Sequence, residues 1–187
     1  VDDNVIEIIY SAGRNVHYGK YNGTLWLGST FSIYPPASAS GVDLDDRYVY
    51  IAAQQRGLLI YDRNSLEMIS EIAVPGEAQK VKVVGNYAYL ACRQGGFSIV
   101  NIADRTEPLL VSNFDTTGYA TSIDVKDNKA VVSSGGGGIY LFDVSSPSHP
   151  LLKQNITSAG YTNNAKFYNN QLIVAARDKG ILIYEID

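Results

Sequence analysis

Four glycines, Gly57, Gly96, Gly138 and Gly180, stand 39, 42 and 42 residues apart, and the residues around them repeat with them. DDRYVYIAAQQRGLLIYD from Asp45, GNYAYLACRQGGFSIVNI from Gly85, DNKAVVSSGGGGIYLFDV from Asp127 and NNQLIVAARDKGILIYEI from Asn169 align beneath one another. A fixed period of this length constrains the fold more than any local propensity, because each repeat is one supersecondary unit that buries its apolar face only against its neighbours. A fifth copy lies near the start, where IIYSAGRNVHYGKYNGTLWLGS from Ile8 matches NITSAGYTNNAKFYNNQLIVAA from Asn155. That copy is irregular after Ser29, where Pro35 and Pro36 occupy the place of a fourth strand.

Within a copy, apolar residues alternate with a period of two, as they do in half-buried strands. The best-formed copy predicts strands at VKVV from Val81, YAYLAC from Tyr87, FSIVNI from Phe97 and PLLVSNF from Pro108. Gly85-Asn86, Asp45-Asp46, Asp127-Asn128, Asn169-Asn170 and Asn22-Gly23 join first strands to second, all residue types that accept tight hairpin turns. Four antiparallel strands per period of about 42 residues predict an all-β chain, a β-propeller of four-stranded blades. The count gives five blades in one domain over residues 1–187, with repeats at 14–41, 42–76, 77–118, 119–160 and 161–187.

The segments GLLIYD, GFSIVNI, GIYLFDV and GILIYEI resemble the LVIVD repeat, a β-propeller repeat of bacterial and archaeal proteins. GNYAYLA at 85–91 is similar to its second strand and DVSSPSHP at 143–150 to its third-to-fourth turn. The resemblance implies a propeller that is exported, periplasmic or on the cell surface. It says little about activity, because propellers host many unrelated functions. The residues 5–13, VIEIIYSAG, align with fourth strands, so the expectation is that they pair beside GILIYEID and close a five-bladed ring. The alternative is a fragment of a six- to eight-bladed propeller with an internal stretch lost near Pro35. The chain starts at Val1, which fits removal of a signal peptide or an upstream region.

Composition narrows the function. A formal charge of −4 and a pI near 5.1 do not provide the basic face that nucleic acid demands, so no nucleic-acid partner is expected. No apolar run reaches the roughly 18 residues of a membrane helix, so this segment is not expected to insert. The single cysteine, Cys92, excludes an internal disulfide and falls on a predicted core strand.

In a propeller, the loops into each first strand and those between second and third strands share one face. They hold Arg14, Arg56, Arg93, Arg177 and Lys80 together with Tyr119 and Tyr161, which makes a basic rim on an acidic protein. Guanidinium forks suit carboxylate, sulfate or phosphate, and these seven residues form the candidate ligand site. The competing reading is that arginines in short polar loops only solubilise, since isolated surface charges contribute little. Gly135 to Gly138 lack the Lys-Ser or Lys-Thr of a phosphate loop and read as an open turn beside the rim. VDLDD at 42–46 lacks EF-hand spacing, and His17 and His149 fall at opposite blade ends, so neither a metal, a cofactor nor a catalytic residue is assigned. His17, placed near the axis, is the histidine worth testing. The leading expectation is a non-catalytic binding or interaction module for a protein partner, an anionic small ligand or a glycan. An enzyme with an anionic substrate on that face and a subunit that stacks into an assembly are the other readings.

Overall fold

The computed structural model describes residues 6–21 and 26–186. Among the described residues, 18 strands form five antiparallel sheets in chain order. The first contains β1 (Ile6–Ala12), β2 (Asn15–Tyr21) and β3 (Trp26–Ile33). The second contains β4 (Gly41–Leu44), β5 (Tyr48–Ala52), β6 (Leu58–Asp62) and β7 (Met68–Ile72). The third contains β8 (Lys80–Val84), β9 (Tyr87–Ala91), β10 (Phe97–Asn101) and β11 (Leu109–Phe114). The fourth contains β12 (Ser122–Lys126), β13 (Lys129–Ser133), β14 (Ile139–Asp143) and β15 (Leu151–Ile156). The fifth contains β16 (Thr162–Tyr168), β17 (Gln171–Ala176) and β18 (Gly180–Glu185). No helix among the described residues is long and apolar enough to cross a membrane.

The sheets are blades. Their first strands lie beside one another in the order β1, β4, β8, β12, β16, and each blade packs its flat face on the next. Strand alternation dictates the packing, because successive side chains point to opposite faces. Thus Tyr50, Leu58 and Ile60 of the second blade meet Val81, Leu90 and Val100 of the third. Tyr89, Phe97 and Ile99 then point forward onto Ile123, Val132 and Phe142 of the fourth. Val131 and Ile139 repeat the arrangement against Ala165, Leu172 and Val174 of the fifth. In each of the three complete blades the fourth strand slips by one residue against the third, at Ile60/Tyr61, Ile99/Val100 and Leu141/Phe142. A bulge at one fixed place sharpens the local twist and bends each outer edge alike.

Arginine clamps lock two seams. Arg105, in the turn before β11, reaches back to the Tyr50 hydroxyl at 3.2 Å and Asp45 at 3.5 Å. The Tyr50 hydroxyl donates to Asp45 at 2.6 Å. Burial pushes the Asp45 carboxyl up, but the Tyr50 hydroxyl, the Tyr48 and Arg47 amides and the Arg105 charge outweigh it and hold Asp45 below the usual carboxylate range. One seam earlier, Arg63 binds the Tyr18 hydroxyl at 2.7 Å and lies 4.7 Å over its ring.

The closing-strand expectation fails. Residues Ile6–Ala12 pair with Asn15–Tyr21 through the Gly13-Arg14 turn, and they stand as the first strand of their own sheet beside β4. Ile9, Tyr18 and Phe31 face the second blade, which fixes this placement: the apolar face of β1 is used against Val49 and Ile51, not against β18. The first blade is therefore offset by one strand from its sequence alignment, and the segment 34–40 with Pro35 and Pro36 leads directly into β4 without a fourth strand. Proline lacks the donor a ladder needs, which accounts for the break. The expected Asn22-Gly23 turn lies outside the described residues.

Candidate functional site

At the seams from the second blade to the fifth a backbone bridge fixes the rim. The turn between second and third strands contributes Gln54, Arg93 or Gly135, and the entry to the next blade contributes Ala78, Ala120 or Thr162 in turn. Arg93 and Ala120 exchange two 2.9 Å hydrogen bonds, and Thr162 donates to Gly135 at 2.9 Å. Gln54, Arg93 and Gly135 hold φ of +51°, +46° and +51°, a left-handed backbone that strains Gln54 and Arg93 and that glycine adopts freely.

These bridges create an alternating string of residues on the rim. Glu77 accepts from Arg93 Nη1 at 2.9 Å, and the same guanidinium lies 5.5 Å over the ring of Tyr119. Next comes Gly135, whose missing side chain leaves room for the Tyr161 ring: a Cβ there would lie 3.2 Å from it. Arg177 then covers the Tyr161 ring at 4.0 Å and donates its backbone N–H to the Tyr161 carbonyl at 2.8 Å. Stacked guanidiniums keep their edge N–H groups in the plane of the fork, where an oxyanion can be gripped by two donors. Tyr119 is half exposed, at 52%.

The four glycines of the 135–138 turn separate by role. Gly137 is obligatory, since a Cβ would fall 1.7 Å from the Thr117 carbonyl oxygen, whereas Gly136 faces open space with nothing within 4 Å. The turn is thus open at Gly136, while its neighbour Gly135 lies against the Tyr161 ring. Beneath the turn, the Thr116 and Ser134 hydroxyls share a buried 2.9 Å hydrogen bond and Ser134 Oγ donates to the Thr117 carbonyl. Gln79 Nε2 and Ser133 Oγ are buried without a hydrogen-bond partner, one in the entry loop of the third blade and one where β13 runs into this turn.

The seven candidate residues do not form one cluster. Arg93, Tyr119, Tyr161 and Arg177 do come together along the rim. Arg56 sits two positions later in its turn than Arg93 does, so it leans outward and ion-pairs with Glu71 on the outer strand β7. Lys80 begins the inner strand β8, where it packs across Gly41. Arg14 occupies the β1–β2 turn, at the other end of its blade from the turns that carry Arg93 and Arg177. His17 is likewise displaced from the rim: it lies in β2, opposite Tyr10 and hydrogen-bonded to Ser32 at 3.0 Å.

Sequence reasoning missed a row on the inner strands. Strand pairing places Asp43, Lys82, Asp124 and Lys166 at one equivalent position in successive blades, with the sign of charge alternating. Asp43 accepts from Lys82 Nζ at 3.3 Å and from the Val83 amide at 2.8 Å, and Asp124 accepts from the Phe167 amide at 3.0 Å. The alternation is visible in GVDL, KVKV, SIDVK and NAKFY once the first strands are aligned.

The LVIVD repeat matches residues 36–62, 75–116 and 117–158. No curated protein matches the sequence. Among solved structures, a chain of a mitotic checkpoint complex superposes with a TM-score of 0.79 at 12% identity, over 98% of this chain and 59% of that one. The β-propeller domain of Cps50 (Swd1) from Myceliophteria thermophila gives 0.77 at 9%, over 97% and 66%. The computationally designed Ika4 protein gives 0.69 at 12%, over 82% and 94%. At such identities the likeness is one of fold, and this chain spans about three fifths to two thirds of the two natural propellers. The repeat matches cover more than half of the sequence, and the chain belongs to the LVIVD-repeat family.

Proposed function

We propose that this LVIVD-repeat propeller is a non-catalytic binding module whose ligand sits on the rim between Tyr119 and Tyr161, at the open Gly135-Gly136 turn. The observation that carries the reading is the pair of guanidinium–tyrosine stacks, Arg93 on Tyr119 and Arg177 on Tyr161, flanking a turn without side chains. Aromatic faces accept a flat or ring-shaped group and the two arginines accept its charge, so the ligand class is anionic: a sugar acid, a small carboxylate or an acidic segment of a protein. A protein partner fits the company that propellers keep, one neighbour being a chain of a multi-protein complex. Placement outside the cytoplasm, by family, belongs to the same reading.

Three side chains that catalysis would draw on are poorly placed for it. Burial pushes the Cys92 thiol up to about 11, which keeps it neutral and unreactive. His17 and His149 lie in the first sheet and in the turn before β15, each beside a serine hydroxyl.

The test is a thermal-shift and calorimetric titration with oligouronates, small dicarboxylates and Asp/Glu-rich peptides. An Arg93→Ala/Arg177→Ala variant should lose at least tenfold in affinity while melting as the parent does. Gly136→Phe, built into open space, should block the ligand at equal stability. Binding that survives both variants would remove the rim from consideration.

A further inference from the structure

The two guanidinium–tyrosine stacks of the rim are not equivalent, and the difference selects among anionic ligands. Tyr161 is already engaged: Arg177 lies 4.0 Å over its ring, and a Cβ on Gly135 would lie 3.2 Å from it. Tyr119 is half exposed, and its guanidinium stands off at 5.5 Å. Of the two rings, Tyr119 is the one that can take a flat partner.

The charge beside Tyr119 is already balanced. Glu77 accepts from Arg93 Nη1 at 2.9 Å, and its backbone N–H donates to the Cys92 carbonyl at 3.1 Å, so carboxylate and guanidinium start from adjacent backbone. This pair differs from Arg56 and Glu71, where Nε and Nη2 both bond to one carboxylate oxygen and close the fork. Here a single N–H is used. Among the described residues, the other Glu77 oxygen and the remaining N–H groups of the Arg93 guanidinium make no hydrogen bond. An acceptor and donors are left side by side next to a half-exposed ring.

That set suits a sugar and not a second carboxylate. Each hydroxyl both donates and accepts, so one gives its proton to Glu77 while its neighbour accepts from Arg93, and the apolar face of the sugar ring lies on Tyr119. A carboxylate brought to the same place meets Glu77, and the like charges oppose it.

We infer that the Tyr119 end of the rim is a subsite for one uncharged sugar ring, stacked on Tyr119 and oriented by Glu77 and Arg93, with the acidic group of the ligand carried one ring further toward Arg177. The inference rests on the rim reading and narrows it. Of sugar acid, small carboxylate and acidic protein segment, it commits to a glycan in which a neutral sugar adjoins a uronic acid. Glu77 is the specificity-determining residue, because it cancels at one end of the rim the charge that Arg177 offers at the other.

Calorimetric titration with four probes tests it: a disaccharide of galactose and glucuronic acid, digalacturonate, glutarate and a hexaglutamate peptide. The mixed disaccharide should bind at least tenfold tighter than the other three. Saturation-transfer NMR should mark its galactose ring protons more strongly than those of the uronate. Tyr119→Ala should remove that signal and Tyr119→Phe should keep it. Glu77→Gln, which removes a charge and keeps the shape, should weaken the mixed disaccharide at least fivefold and strengthen digalacturonate, with melting unchanged. Equal affinity for these two probes in the parent, saturation centred on the uronate, or a gain for all four probes alike in Glu77→Gln overturns the sugar subsite and leaves an anion-binding rim. Equal binding by the Arg93→Ala/Arg177→Ala variant, or no saturable binding of any probe, overturns the rim reading and this inference with it.

Discussion

Ile99 and Ile183 hold the same position in the third strands of the third and fifth blades, and one is fully buried while the other is 59% exposed. The residues are identical, the backbone is extended in both, and each is paired across its sheet, with Tyr89 and Ile173. The difference lies wholly in what stands next to them: the third blade has a fourth strand and a neighbour pressed on its forward face, and the fifth has neither among the described residues. In a chain of stacked repeats, burial is conferred by the neighbour and not by the residue, so stability falls toward an uncovered blade even when sequence pattern does not.

The largest test of that contrast is the pair Ile99→Ala and Ile183→Ala. The first should cost about 2–5 kcal/mol in denaturant unfolding, by lost transfer and a cavity, and the second no more than about 0.5. Equal losses would mean that the fifth blade is covered in solution. Next is Gly57→Ala against Gly180→Ala. Both meet left-handed strain of about 1–2 kcal/mol, but the first also drives a methyl into the Ile72 carbonyl and should cost about 1–3 kcal/mol more.

Smaller again is Arg105→Ala, which unclips Tyr50 and Asp45 and should cost about 1 kcal/mol, whereas Arg177→Ala on the rim should leave stability unchanged. The smallest contrast is in pH. Asp45 in the second blade sits below the ordinary value of 3.8, and Asp62, Asp104 and Asp143 do so through hydroxyl and amide donors in their turns. Depressed carboxyls stabilise the folded form above pH 3.8, and that contribution disappears as pH falls through their lower folded values. Acid titration followed by hydrogen exchange should therefore loosen the second, third and fourth blades only below about pH 4, with the residues of β18 already exchanging fast at neutral pH.

Period and alternation made the architecture legible. The strand boundaries expected from Val81, Tyr87, Phe97 and Pro108 lie within a residue or so of those seen, because glycine and apolar alternation specify them locally. The first blade lies one strand out of its sequence alignment because Ser-Ala-Gly recurs both at the Gly13-Arg14 hairpin turn and at a loop into a blade, and both places accept positive φ. Conformational tolerance alone predicts Asp45 in its turn, but its carboxylate also holds the turn by accepting from the Arg47 and Tyr48 amides at 2.9 and 2.7 Å. At the site, loop membership was legible and loop position was not: Arg56 and Arg93 look alike in AQQRG and CRQGG, and two residues decide whether the guanidinium turns to Glu71 or to Tyr119.

The charges at the inner strands impose a rule of parity. Asp43, Lys82, Asp124 and Lys166 alternate, so from the second blade to the fifth each blade presents the next with the opposite sign. Inserting or deleting one blade inside this series sets aspartate beside aspartate or lysine beside lysine, while inserting or deleting an adjacent pair keeps it intact. A duplicated pair of blades can therefore be set within the series where a single duplicated blade cannot.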